Sequence, residues 1–224
     1  MNYEDLKITL DLGSPACLTD SLGFDALLSY AVYCETGLQG ADTLEHIPLD
    51  KKHGLFCGSN LFVAKSYSHQ QMSRVMSLKK EGDMQPYHFR PQPKRKVAQS
   101  VYSYIDLQRN EYKANLDSYS AICTPYVYFY ARGDASRIHA LLELVPGIGK
   151  RASTGAGQIM GIHVEGTDED YSFCLASGKP ARDIPVDVWK QISGKEASAG
   201  LRSVGLPRYE HAAQLCVYPS SILE

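Results

Sequence analysis

The residues best suited to chemistry lie in one glycine-rich loop near the middle of the C-terminal half. The run reads Gly147-Ile148-Gly149-Lys150-Arg151-Ala152-Ser153-Thr154-Gly155-Ala156-Gly157. Its four glycines permit positive φ angles and a close approach of the backbone to a ligand. Lys150 and Arg151 add two cations, and hydroxyl donors follow at Ser153 and Thr154. Backbone amides, cations and hydroxyls together suit phosphate oxygens, so the loop predicts a binding site for a sugar-phosphate backbone.

Two familiar nucleotide-binding motifs do not match this loop. A P-loop places Ser or Thr directly after Gly-Lys, whereas Arg151 follows Gly149-Lys150 here. The dinucleotide fingerprint needs a strand before its glycines and a helix after them, and the predicted order here is the reverse. A mononucleotide pocket is therefore disfavoured. A glycine-rich turn with no ligand remains the alternative interpretation of the loop.

Periodic segments on both sides of the loop predict the elements that hold it. Residues 135–144 have apolar positions at helical spacing, and Asp134 is a suitable N-cap. Residues 158–164 have the composition of a strand. Near the N-terminus, residues 6–12 alternate as a strand with one buried face, and residues 24–33 predict a helix that ends near Gly37.

The order of these elements predicts an α+β protein with a ferredoxin-like (RRM-like) split βαβ domain. We expect this domain to span residues 1–168, with an insertion at about 65–118. Residues 169–224 are expected to add strands at 171–175, 186–192 and 214–218. These would pack on the same sheet or form a small second lobe.

Charge is distributed unevenly along the chain, although the net charge is only −2. Residues 1–50 carry nine acidic side chains and one basic one, Lys7, while residues 74–113 carry nine basic and four acidic ones. One surface is therefore suited to a polyanion and another to a basic partner. Two solvated patches with no partner are the simpler alternative.

Composition argues against several other classes of protein. No stretch approaches the roughly 18 consecutive apolar residues of a membrane span, and the acidic start Met1-Asn2-Tyr3-Glu4-Asp5 is unlike a secretory signal. The six cysteines are scattered without C-x-x-C spacing, which favours reduced thiols in a cytoplasm over disulfides or zinc. We therefore predict no membrane association, no metal and no cofactor.

The glycine-rich loop, placed after a helix and before a strand, resembles that of the RAMP superfamily of CRISPR proteins. Within this superfamily the chain is similar to the small RAMP subunit of type IV effector complexes. The similarity includes residues 8–10, 23–31, 47–50, 55–59, 206–209 and 217–219, in addition to the loop at 147–159.

The resemblance implies a non-catalytic subunit that holds the 5′ handle of a guide RNA in a prokaryotic cytoplasm. It also implies contacts with the backbone and large subunits of the complex, and with target DNA inside it. A thumb-like insertion would reach the RNA. The expected RNA-binding residues are Gly147, Gly149, Lys150, Arg151, Ser153, Thr154, Gly155, Gly157, Arg74, Arg90, Lys94, Arg95 and Lys96.

Two alternatives stay open at the level of sequence. The first is a metal-independent endoribonuclease of the same superfamily, which would process guide RNA. Related nucleases often have a histidine shortly after the first strand, and residues 13–45 contain none; a tyrosine such as Tyr30 or Tyr33 with a lysine is the remaining route. The second alternative is a ferredoxin-like module that binds a small molecule or a protein. Seven tyrosines between residues 102 and 130 could stack on bases or pack between strands.

Overall fold

The structure is a computed structural model of the 224-residue chain. It describes residues 3–18, 22–76, 115–193, 195–206 and 210–219. The chain divides into two compact units. The first comprises residues 1–70 and 121–224, and the second comprises residues 71–120.

Eleven strands and three α-helices are found in the described part of the chain. The strands are β1 (Glu4–Leu12), β2 (Lys51–Lys52), β3 (Leu55–Phe56), β4 (Phe62–Val63), β5 (Ser68–Met76), β6 (Asn115–Cys123), β7 (Tyr126–Gly133), β8 (Ile159–Gly166), β9 (Ile184–Pro185), β10 (Ala199–Arg202) and β11 (Gln214–Val217). The α-helices are α1 (Phe24–Thr36), α2 (Ala135–Leu142) and α3 (Val186–Ile192). Two 3-10 helices lie at Gly40–His46 and Ala152–Thr154.

A four-stranded antiparallel sheet in the order β4-β7-β1-β8 is the centre of the first unit. Along β1, Leu6, Ile8 and Leu10 are buried, and the residues between them are half-buried. This alternation follows from the two-residue period of a strand, which sends successive side chains to opposite faces. Two predicted strands are confirmed: β1 near the N-terminus, and β8 directly after the glycine-rich loop.

Helices α1 and α2 bury their apolar stripes against one face of this sheet. The ring of Phe24 on α1 lies 4.9 Å from that of Phe129 on β7. Asp134 caps the N-terminus of α2, since its carboxylate accepts the Arg137 amide at 3.0 Å, and Gly37 caps the C-terminus of α1 in the left-handed region. Both helices and the predicted N-cap are confirmed, and with them the mixed α/β character of the chain.

The C-terminal part differs from its prediction. Residues 186–192 form helix α3 and not a strand, and residues 171–175 form no strand. The helix follows Pro185 and directs Trp189 into a small core with Cys57 and Ile184. The strand predicted at 214–218 is confirmed as β11, but it pairs with β9 and β10 in a separate three-stranded sheet.

A buried ion pair connects the C-terminal part to α1. A guanidinium nitrogen of Arg182 lies 2.9 Å from Oδ2 of Asp25, and both side chains are 3% exposed. The same guanidinium donates to the carbonyl oxygen of Phe56. Asn60 donates to Asp183 at 3.4 Å beside this pair. Because a buried charge is costly without its partner, this pair fixes residues 180–185 to the first turn of α1.

Strands β5 and β6 pair with each other, and they flank the centre of the predicted insertion. Residues 77–114 lie outside the described residues, so the prediction of a basic thumb stays a prediction. All six cysteines are free thiols, of which Cys17, Cys57 and Cys216 are buried. Among the described residues, no helix has the length and apolar character needed to cross a membrane.

Candidate nucleic-acid interface

The glycine-rich loop between α2 and β8 is pinned at both ends. Ile148 is 1% exposed and belongs to the main core. Its amide donates to the carbonyl of Gly157 at 2.9 Å, and the amide of Ile159 donates to the carbonyl of Pro146 at 3.1 Å. These hydrogen bonds hold the two ends of the loop together beside the edge strand β8.

The middle of the loop packs on the segment that follows β1. The amide of Lys150 donates to the carbonyl of Cys17 at 2.8 Å, and the amide of Gly157 donates to that of Pro15 at 2.9 Å. The Ser14 hydroxyl donates to the Gly155 carbonyl at 2.7 Å and accepts the Gln158 amide at 3.0 Å. Ser14 was not among the predicted site residues, because its contacts cross more than 140 positions of sequence.

Backbone conformation and close packing explain why the loop has glycine at these positions. Gly149, Gly155 and Gly157 have φ angles of 80°, 90° and 61°. A Cβ at Gly149 would overlap the carbonyl of Cys17, and one at Gly157 would overlap that of Ile148. Gly147 approaches the Gly157 carbonyl almost as closely, whereas Gly155 has open space where its Cβ would lie. Close packing therefore requires three of these glycines, and Gly155 is required by its φ angle alone.

Most amides in the loop donate to protein acceptors. Besides Lys150 and Gly157, the amides of Thr154, Gly155 and Ala156 donate to carbonyls within the loop. The Thr154 hydroxyl donates to the Arg151 carbonyl at 3.0 Å. An anion that binds here would therefore contact mainly side chains, because most of the backbone amides already donate to carbonyl oxygens. In the loop, the side chains of Lys150 and Ser153 are exposed, and the side chain of Arg151 is half-buried.

Arg151 has a left-handed backbone conformation, with φ 65° and ψ 17°. Apart from His53 in the tight turn between β2 and β3, it is the only non-glycine residue of the described chain with positive φ. This conformation costs an L-residue about 1–2 kcal/mol. Burial raises the pKa of the nearby Cys17 thiol, while the positive charge of Arg151 opposes that rise. The guanidinium thus lies close to the segment that supports the loop.

A cleft of about 490 Å³ adjoins the loop through Ser14 and Pro15. Its wall includes Tyr67, whose side chain is 37% exposed, and Thr124, whose hydroxyl donates to the Tyr126 carbonyl. The cleft is large enough for a small ligand or a single nucleobase. Residues 13–15, which line the cleft, also form hydrogen bonds with the loop segment at residues 155–158.

The face of the sheet opposite the two helices is less suited to a phosphate backbone. Part of it is covered, because Leu175 and Ala181 pack on Phe62 and Tyr128. In the open part, His163 Nε2 lies 2.9 Å from Oδ2 of Asp11, and both side chains are about half exposed. Carboxylates at Asp11 and Glu165 would repel phosphates, so the loop is the better candidate for a phosphate-binding site.

Of the remaining predicted RNA-binding residues, the structure describes Arg74 alone. Arg74 is exposed on β5, in the second unit. Arg90, Lys94, Arg95 and Lys96 lie outside the described residues, as do residues 207–209, which carry part of the RAMP resemblance. Their assignment to RNA stays a prediction.

Together, the sheet, its two helices and the loop define a mixed α/β protein with a basic glycine-rich loop beside a sheet edge. The model of the family described as CRISPR type IV associated protein Csf3 matches residues 4–174, and the chain belongs to this family. The match contains the loop and its supporting segment, and it ends before Arg182. No curated protein matches the chain significantly. The chain is therefore a component of a type IV CRISPR system.

Proposed function

We propose that this chain is a non-catalytic guide-RNA-binding subunit of a type IV CRISPR ribonucleoprotein. It holds the 5′ handle of the RNA through Lys150, Arg151 and Ser153. The observation that carries the proposal is the pinned loop, in which an arginine keeps a strained left-handed conformation beside a second cation. Backbone strain of this kind concentrates at functional sites.

The sheet order supports membership of the RAMP superfamily with its ferredoxin-like plan. In that plan two βαβ halves interleave, so that the first strand lies between the third and the fourth. Here β1 lies between β7 and β8, and β4 borders β7 on the other side. The loop occupies the connection between the second helix and the last strand, as in the superfamily that it resembles.

The cleft beside the loop supports binding of a single-stranded segment. Phosphates at Lys150 and Arg151 would leave an adjacent unpaired base within reach of the cleft wall. Tyr67 offers a partly exposed ring there, and stacking on an aromatic ring contributes about 1–3 kcal/mol for each base. In the complex, the chain contacts the backbone and large subunits, and target DNA is a further partner.

Binding of labelled repeat RNA to the purified chain tests the proposal. The double variant Lys150→Ala/Arg151→Ala should bind roughly 10- to 100-fold more weakly, because two charged donors to phosphate are lost. A matched control removes two exposed cations elsewhere, at Lys190 and Lys195, and should change affinity little. Equal losses in both variants would indicate unspecific attraction and contradict the assigned site.

One observation favours a second function, cleavage of guide RNA without metal. His163 is exposed and held by the Asp11 carboxylate, an arrangement that orients an imidazole as a general base for a ribose 2′-hydroxyl. Incubation of repeat RNA with the protein and EDTA tests this function. Specific cleavage that is lost in His163→Ala, and kept in the control His139→Ala, would favour the nuclease over the non-catalytic subunit.

A further inference from the structure

Helix α1 exposes two neighbouring tyrosines on the side opposite its buried stripe. Tyr30 and Tyr33 are 46% and 43% exposed, and their ring centroids are 6.3 Å apart at a tilt of 32°. The other face of the helix packs in the core through Leu27, Leu28 and Ala31. Neither ring is needed to cover the core, so the pair forms an aromatic surface patch.

A groove separates this helix from the 3-10 helix at Gly40–His46. It holds about 330 Å³ and is lined by Ala26, Ser29, Tyr30, Tyr33, Leu38, Gln39, Gly40 and Thr43. Its floor is fixed by hydrogen bonds, since the hydroxyls of Ser29 and Thr43 lie 2.7 Å apart and Thr43 donates to the Gly40 carbonyl at 2.9 Å. We call this feature the tyrosine groove.

The surroundings of the tyrosine groove are acidic. Asp42 and Glu45 are exposed on the 3-10 helix, and no ion pair joins either of them to a basic side chain in the part of the chain that the structure describes. Glu35 is paired with Arg137. The sequence contains no lysine or arginine between Ile8 and Asp50. A phosphate backbone would be repelled here, whereas a cation would be attracted.

We infer that the tyrosine groove docks a basic segment of another protein subunit of the complex. An arginine of that segment would lie against the rings of Tyr30 and Tyr33 and pair with Asp42 or Glu45. Tyrosine and arginine are enriched at the centres of protein interfaces, and a guanidinium over an aromatic face is attracted by its quadrupole. The inference rests on the proposed place of the chain in a multi-subunit ribonucleoprotein.

Pairwise copurification tests this surface. The tagged chain is co-expressed with each of the other protein subunits of its complex in turn, and the lysate is treated with nuclease to remove RNA. One subunit should be recovered with the parent chain. Recovery should fall at least about tenfold both in Tyr30→Ser/Tyr33→Ser and in Asp42→Lys/Glu45→Lys. The control Tyr126→Ser, at a tyrosine of similar exposure, should keep full recovery.

Measurements on the same preparations separate this inference from the proposed function. RNA affinity should be unchanged in the groove variants, and Lys150→Ala/Arg151→Ala should lose RNA but keep the protein partner. Thermal unfolding should match the parent, since the replaced side chains are exposed. The inference is overturned if no subunit is recovered with the parent or if the groove variants retain full recovery. It is also overturned if these variants lose RNA, or lose only self-association detected by light scattering.

Discussion

At the scale of single residues, Arg151 is where the loop's conformation and its chemistry conflict. Its backbone has an angle that suits glycine, and the loop does use glycine at its other three positions with positive φ. Keeping a long cationic side chain at this position costs stability. This conflict is the reason that the proposed function assigns the arginine to the RNA.

The substitution Arg151→Gly should separate stability from function. Relief of the left-handed strain should raise the free energy of unfolding by about 1–2 kcal/mol. The greater freedom of glycine in the unfolded chain should lower it by about 0.5–1 kcal/mol. We expect the free energy of unfolding, measured in urea, to rise by up to about 1.5 kcal/mol while RNA affinity falls. Arg151→Lys is the control, because it keeps both the charge and the strain. A less stable glycine variant would contradict this account of Arg151.

Two loop glycines should differ in their tolerance of alanine. Gly155→Ala introduces strain at φ 90° but meets open space, whereas Gly157→Ala at φ 61° also overlaps the Ile148 carbonyl. We expect Gly155→Ala to cost about 1–2 kcal/mol and Gly157→Ala to cost clearly more, because backbone atoms must move. Denaturant unfolding of the two variants checks the order, and equal losses would show that the loop is not packed as described.

Sequence alone could predict the loop's glycines and cations, because they are adjacent in the chain. It could not predict Ser14, whose role depends on a contact between distant segments. Nor could it predict that the Thr154 hydroxyl donates to the Arg151 carbonyl within the loop. Which polar atoms remain available to a ligand is decided by folding and not by residue type.

At the scale of elements, the pair of Asp25 and Arg182 is a buried connection between α1 and the C-terminal part. Two charges with 3% exposure are stable only together, since each would otherwise lie in a medium that solvates it poorly. The orientation of Arg182 is also fixed by a second hydrogen bond, because its guanidinium donates to the Phe56 carbonyl.

A double-mutant cycle should detect this coupling. Either Asp25→Leu or Arg182→Met alone should lower the free energy of unfolding by about 3–5 kcal/mol, because one buried charge is left uncompensated. The double variant should be less destabilised than the sum of the two single variants. Arg137→Met, which breaks the exposed pair with Glu35, is the control and should cost much less. Additive losses at Asp25 and Arg182 would contradict the buried pair.

The helices and strands could be predicted where the pattern of apolar residues was regular or where a capping residue marked the start of a helix. Helix α2 follows Asp134, and the sequence of β1 alternates between apolar and polar residues from Leu6 to Leu12. The segment 186–192 was misassigned because its valines and isoleucine favour strands locally. Packing reverses this preference, since Val186, Trp189 and Ile192 recur at helical spacing toward a shared cluster. The pairing of β11 with β9 and β10 depends on contacts that no local pattern encodes.

At the scale of the whole molecule, stability should decline in alkaline solution partly because of one thiol. Burial, with the nearby Asp170 charge, raises the pKa of Cys57 from 9.0 to about 12. Between these values the unfolded chain loses the thiol proton and the folded chain keeps it. The free energy of unfolding therefore falls as pH rises through this window, by at most about 1.4 kcal/mol per pH unit. Urea unfolding at pH 8, 9 and 10 should show a shallower decline for Cys57→Ala, and parallel curves would contradict the assignment.

The salt dependence of RNA binding tests the central claim of a phosphate-binding loop most directly. Each contact between a cation and a single-stranded phosphate contributes about −0.7 to the slope of log K against log salt concentration. Removing both Lys150 and Arg151 should therefore make the slope shallower by about 1.4, while the Lys190 and Lys195 control keeps the parent slope. An unchanged slope in the loop variant would mean that phosphates do not bind there, and the account would be wrong.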